Sequence, residues 1–158
     1  MDLRARFQKK EAHLGVIGLG YVGLPLAIGY AQAGFRVTGI DLVPEKVAAL
    51  MRGESYIIDV PAADVAEVVR NGRFRATEDP GFLAEVDGVN ICVPTPLSKT
   101  RDPDISYIQQ AVDVIAPRVH RNMLIILEST TYPGTTEEVI LPRLEESGLK
   151  VGRDFFLA

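Results

Sequence analysis

The chain has 158 residues, 47% hydrophobic and 24% charged, with a formal net charge of −4 at pH 7. That length and balance describe one globular domain able to bury a core and exclude a disordered chain, while the acidic balance argues against nucleic acid as a main partner. The single cysteine, Cys92, excludes an intrachain disulfide and a multi-cysteine metal site, and with only His13 and His120 no histidine-based zinc site is expected.

No apolar run approaches the roughly 20 residues that span a bilayer. Met1 to His13 is mostly polar and does not read as a signal peptide, so the expected location is cytoplasmic. Residues 1–12, with Arg4, Arg6, Lys9 and Lys10, read as a solvated basic arm, and residues 13–158 as the domain proper. Leu14 to Ile17 is a short buried-strand pattern that runs directly into glycines. Val22 to Ala33 fits a helix capped by Gly34. Phe35 to Ile40 reads as a second strand ending at Asp41, and Pro44 suits the first turn of a helix through Val47 and Leu50 toward Gly53.

Pro61 to Val69 is predicted helical and stops at Asn71-Gly72, before a short strand at Phe74 to Ala76. Asp79-Pro80 has the form of a cap with proline at the first helical position. Val89 to Val93 is another buried strand, broken by Pro94 and Pro96. Ser106 with Gln109 forms a capping-box pattern for a helix through Ile115, and Met123 to Leu127 is a strongly apolar strand. Thr135 with Glu138 opens a further capped helix closing at Gly148, and Phe155 to Leu157 begins a sixth strand. Strands alternating with helices imply right-handed βαβ units. The fold class is therefore α/β, a doubly wound parallel (Rossmann) sheet of about six strands in the order 3-2-1-4-5-6. Ending at Ala158, just after a strand begins, suggests a truncated or excised domain.

Gly18-Leu19-Gly20-Tyr21-Val22-Gly23 is G-x-G-x-x-G, a weak signal alone. Here a strand precedes it, a helix follows, and Asp41 stands 18 residues beyond Gly23 at the end of the next strand. Gly18 permits the tight turn, Gly20 lets a pyrophosphate approach the backbone, and Gly23 lets the helix pack on the sheet. The amides of Tyr21 and Val22 sit at a helix N-terminus, which attracts phosphate. Asp41 can accept hydrogen bonds from ribose hydroxyls and would repel a 2′-phosphate, favouring NAD over NADP; Lys46 tempers that exclusion. FAD and other adenosine ligands share the fingerprint.

Val93-Pro94-Thr95-Pro96 and Glu128 to Thr136 follow the fourth and fifth strands at the ends where ligands bind in such sheets. The Thr95 and Thr130 hydroxyls would reach that crevice, whereas Thr135 reads as a helix cap. Cys92, inside an apolar strand with no basic neighbour, reads as a buried core thiol rather than a nucleophile.

Gly15 to Pro25, Val93 to Pro96 and Glu128 to Glu138 together resemble the UDP-glucose/GDP-mannose dehydrogenase family, and the likeness extends through Ile91 to Leu97 and Asp154 to Ala158. Within the family it is nearest the members acting on UDP-N-acetylglucosamine. The resemblance implies NAD contacts at Val22, Asp41, Lys46, Thr95 and Thr130, with Lys46 on the ribose or adenine side. It also implies a place near the active-site mouth for the loop Gly53 to Asp59. Family members oxidise the C6 alcohol of a UDP-sugar to a carboxylate with two NAD, through covalent capture on a cysteine. That cysteine, the catalytic lysine and asparagine, the central helix of the homodimer and the UDP-binding domain fall downstream of this stretch. The cofactor candidates are thus Gly18, Gly20, Tyr21, Val22, Gly23, Asp41, Lys46, Pro94, Thr95 and Thr130, with no catalytic or metal-binding residue, and these residues alone are expected to bind NAD without turnover. A non-catalytic NAD-sensing module, or the cofactor half of a hydroxy-acid dehydrogenase, remains as an alternative.

Overall fold

A computed structural model describes residues 2–97 and 103–158. Six parallel strands form one sheet in the order β3-β2-β1-β4-β5-β6. They are β1 (His13–Ile17), β2 (Arg36–Ile40), β3 (Phe74–Thr77), β4 (Gly88–Ile91), β5 (Leu124–Leu127) and β6 (Phe156–Leu157). Every residue of β1 and β4 is buried, as expected of central parallel strands covered on both faces.

The helices are α1 (Leu3–Gln8), α2 (Gly23–Gln32), α3 (Pro44–Met51), α4 (Ala62–Arg70), α5 (Ser106–Ile115) and α6 (Leu141–Glu145). On α2 the buried Leu24, Ala27, Ile28 and Ala31 recur at helical spacing and pack with Leu14, Val16 and Val37 into a first core on one side of the sheet. On α5, Ile108, Ala111, Val112 and Ile115 do the same against Val89, Ile91 and Ile125 on the other side. Gly34, at φ +102°, ends α2: its amide bonds to Ala31 O at 3.0 Å while Phe35 N reaches Tyr30 O at 3.1 Å. Among the described residues no helix is long and apolar enough to cross a membrane.

Three local expectations are corrected. The basic segment at the start is not wholly a solvated arm. Residues 3–8 are helical, Phe7 packs against the first core and Phe35, and Arg6 pairs with Asp87. Asp87 is buried and also accepts from His13 N at 2.8 Å, so a cationic partner offsets its desolvation; Arg4, Lys9 and Lys10 do stay exposed. At α5 the N-cap is Ile105, with no side-chain cap bond, and Ser106 is the first helical residue, its N–H donating to Asp104 Oδ1 at 2.9 Å. At residues 135–140 the chain makes a π-helical turn, not an α-helix capped by Thr135. The Thr135 hydroxyl donates to Tyr132 O at 2.9 Å. Pro142, with no N–H to return in α register, stands just beyond the wide turn.

Candidate functional site

Strand register builds the site. Ile17 aligns with Ile40 and Ile91, and Ile91 with Leu127. The next residue of each strand, Gly18, Asp41, Cys92 and Glu128, therefore falls on one edge of the sheet. This edge spans the β1/β4 boundary, where the strand order reverses and a crevice opens. A cleft of about 1020 Å³ occupies it.

The glycine loop forms the cleft floor. Gly18 holds φ +90° and donates to Ile40 O at 2.9 Å, and a Cβ there would lie 2.6 Å from Cys92 O. A Cβ on Gly23 would lie 1.7 Å from Gly18 O, so only glycine lets α2 sit this close to the loop. A Cβ on Gly20 would meet nothing within 4 Å and would intrude on open space. Gly18, Gly20, Tyr21 and Val22 line the cleft, while Gly23 is buried beneath it. Among the described residues no acceptor pairs with the amides of Gly20, Tyr21 or Val22. These orphan donors at the start of α2 suit an anion.

At one end of the cleft stands Asp41. Its Oδ2 accepts from Leu19 N and its Oδ1 from Val43 N, both at 3.0 Å. Lys46 Nζ lies 3.7 Å from Asp41 Oδ2 and 5.5 Å from the centroid of the Tyr56 ring. The Tyr56 hydroxyl donates to Leu19 O at 2.6 Å. Burial, and then the Asp41 charge, push its phenol pKa up, so it remains a donor. Tyr56 was not among the expected site residues; a contact spanning 37 positions has no local sequence signal. Only the loop containing it was placed near the site, and Ser55 folds that loop by pairing with Ile57 O at 3.1 Å.

At the other end, Pro94 and Thr95 after β4 and Thr130 after β5 line the same cleft. Ser129 joins these two segments, its hydroxyl directed at Val93 O at 2.8 Å and at Ile91 O at 3.2 Å. Glu128 also lines the cleft, and the buried Asn90 donates to its Oε1 at 3.0 Å. Nine of the ten expected cofactor residues thus border one space, and the tenth, Gly23, supports it.

Cys92 and His13 are both buried. Cys92 is buried, and desolvation, with a smaller push from Glu128, raises its thiol to about 12. His13 lies at the opposite end of the strands, bonded to Thr38 Oγ1 at 2.9 Å. Burial, then Arg36, lower its pKa to about 4. Among the described residues no His, Cys, Asp or Glu side chains group as metal ligands. The phosphate-seeking amides, the acid at a strand end and the open approach at Gly20 all fit a dinucleotide.

Residues 12–158 match the NAD-binding domain of the UDP-glucose/GDP-mannose dehydrogenase family. UDP-N-acetyl-D-mannosamine dehydrogenase of Pyrococcus horikoshii is 39% identical over 147 residues, 92% of this chain and 35% of that protein. UDP-N-acetyl-D-glucosamine 6-dehydrogenase of Pseudomonas aeruginosa is 34% identical over 148 residues, 93% of this chain and 34% of that protein. The structure of a ternary complex of GDP-mannose dehydrogenase from Pseudomonas aeruginosa superposes with a TM-score of 0.86 at 31% identity, covering 91% of this chain and 34% of that one. The chain therefore spans about a third of the length of the curated relatives it matches.

Proposed function

The chain belongs to the UDP-glucose/GDP-mannose dehydrogenase family as its NAD-binding domain, and from that premise we propose that it seats NAD for oxidation of a UDP-sugar C6 alcohol to a carboxylate. The observation that carries this reading is the gathering of the glycine loop, Asp41, Lys46, Thr95 and Thr130 around one cleft. NAD supplies the hydride acceptor. The amides of Tyr21 and Val22 bind the pyrophosphate, which Gly18, Gly20 and Gly23 allow to come close. Asp41 accepts the adenosine ribose hydroxyls with Lys46 beside it, and Pro94, Thr95 and Thr130 orient the nicotinamide end.

The substrate on this reading is a UDP-N-acetylhexosamine. The motifs alone suggested UDP-N-acetylglucosamine, but the 39% relative is named for the mannosamine form and the 34% relative for the glucosamine form, so both sugars are candidates on this reading. The whole enzyme would use two NAD per sugar. The 158 residues alone bind NAD without turnover on this reading, because the catalytic cysteine, lysine and asparagine that the resemblance implies match none of them, and their one thiol, Cys92, is buried. Calorimetric titration with NAD and NADP, beside an NADH absorbance assay with both UDP-N-acetylhexosamines, tests this. Tighter binding of NADP would sink the role given to Asp41, and NADH formation by these residues alone would sink the claim that they are catalytically incomplete. Asp41→Ala should weaken NAD more than NADP, since only NAD loses its ribose acceptor.

A further inference from the structure

We propose that Tyr56 is a positioning residue for the pyrophosphate, acting through the peptide groups of Leu19. The proposal rests on the reading of the cleft as an NAD site. Leu19 is anchored by its buried side chain, but the flanking Gly18 and Gly20 leave the orientation of its two peptide planes to hydrogen bonding. Both are fixed from outside the loop. The Asp41 carboxylate takes the Leu19 N–H at 3.0 Å, and the Tyr56 hydroxyl, 37 residues on, donates to the Leu19 carbonyl at 2.6 Å. Without the phenol, no hydrogen bond holds the Leu19 carbonyl, and a turn of the Leu19–Gly20 peptide toward a bound phosphate would set its dipole against the anion. With the phenol, the carbonyl is held, and with it the unpaired Gly20 N–H of the same peptide plane, so that the following Tyr21 and Val22 amides stay in donor geometry.

Tyr56 can hold the loop because its own segment is pinned on both sides. Gly53 turns with φ +78° against Ala66, where a Cβ would come within 2.8 Å of the alanine methyl. Ile57 and Val60 are buried in the first core. The same ring lies beneath Lys46 Nζ, so one side chain ties the glycine loop, the Lys46 ammonium and the 53–60 segment together.

Tyr56→Phe removes the hydroxyl and keeps the ring under Lys46. Calorimetric titration of the 158-residue chain and of this variant with NAD, ADP and adenosine reads the effect. NAD and ADP should weaken by about three- to tenfold, the scale of one net hydrogen bond, while adenosine, which has no phosphate, stays within about twofold. In 15N–1H spectra, the ADP-induced shifts of the Tyr21 and Val22 amides should shrink in the variant. The ligand-free wild-type chain should show one sharp resonance for each of these amides. Undiminished NAD and ADP binding in Tyr56→Phe, an equal loss for adenosine, or exchange-broadened Tyr21 and Val22 amides in the free wild type would overturn the proposal. Failure of the wild type to bind NAD would instead overturn the reading of the cleft.

Discussion

Two alanine substitutions on α2 should change stability in opposite directions. Gly29 is exposed in the helix interior, and a Cβ there would meet nothing within 4 Å. A mid-helix glycine costs about 1 kcal/mol relative to alanine, so Gly29→Ala should stabilise the chain by roughly 0.5–1 kcal/mol and raise Tm by about 1–4 °C. Gly23, at the first turn, is the reverse case. Its Cβ would lie 1.7 Å from Gly18 O, where ordinary contact begins at 3.4 Å, and 3.1 Å from Cys92 Cβ. The blocking atom is backbone, held by the bond from Gly18 N to Ile40 O, so no side chain can swing aside. The helix must lift, and overpacking of this kind costs about 3 kcal/mol or more, lowering Tm by about 6 °C or more. NAD affinity should fall with it, because the same movement displaces the Tyr21 and Val22 amides. Urea unfolding followed by circular dichroism, compared at constant m-value, measures both changes. A Gly23→Ala variant within about 0.5 kcal/mol of wild type, below even the mildest overpacking cost, would refute the reasoning. So would two variants of the same sign.

Two further outcomes follow from buried titratable groups. With its thiol raised to about 12, Cys92 should react with iodoacetamide near pH 8 far more slowly in the folded chain than in urea; equal rates would contradict its burial. His13 has a folded pKa of about 4 against 6.5 when unfolded, so as pH falls the unfolded chain is protonated first. The stability due to neutral His13 is whole above pH 6.5 and is lost between 6.5 and about 4, up to about 3 kcal/mol. His13→Gln should flatten the urea midpoint against pH across that window, and an unchanged slope would dismiss the assignment.

The elements that the sequence announced are those whose burial leaves a periodic trace. β1 reads as an uninterrupted apolar run because helices cover both its faces. α2 and α5 announce themselves through spacing of three and four. The strand order came from matching the alternating strand–helix rhythm to a doubly wound sheet, and the cofactor loop from a stretch ending within one βαβ unit at Asp41. Thr135 failed for a different reason. A hydroxyl before a helix with an acid three residues on fits a cap equally well when it is instead a donor to Tyr132 O. Residue type gives the hydroxyl and not its direction. Arg6 with Asp87 and Tyr56 with Leu19 are separated by 81 and 37 positions, and contacts at such range impose no pattern on the residues between.

Asp41 links the part of the site that was legible to the part that was not. Its two carboxylate oxygens offer about four acceptor positions. Leu19 N and Val43 N use one on each oxygen, and Lys46 faces the oxygen that also holds Leu19. The remaining capacity is what a ribose diol would take on the proposed reading. Cofactor choice and loop geometry then depend on one side chain. An asparagine would keep the size of Asp41, but its amide nitrogen cannot accept, so either Leu19 N or Val43 N loses its partner. Changing the preference toward NADP therefore requires more than removal of a negative charge: the glycine loop must find another acceptor for Leu19 N–H, while Tyr56 still holds the Leu19 carbonyl on the far side.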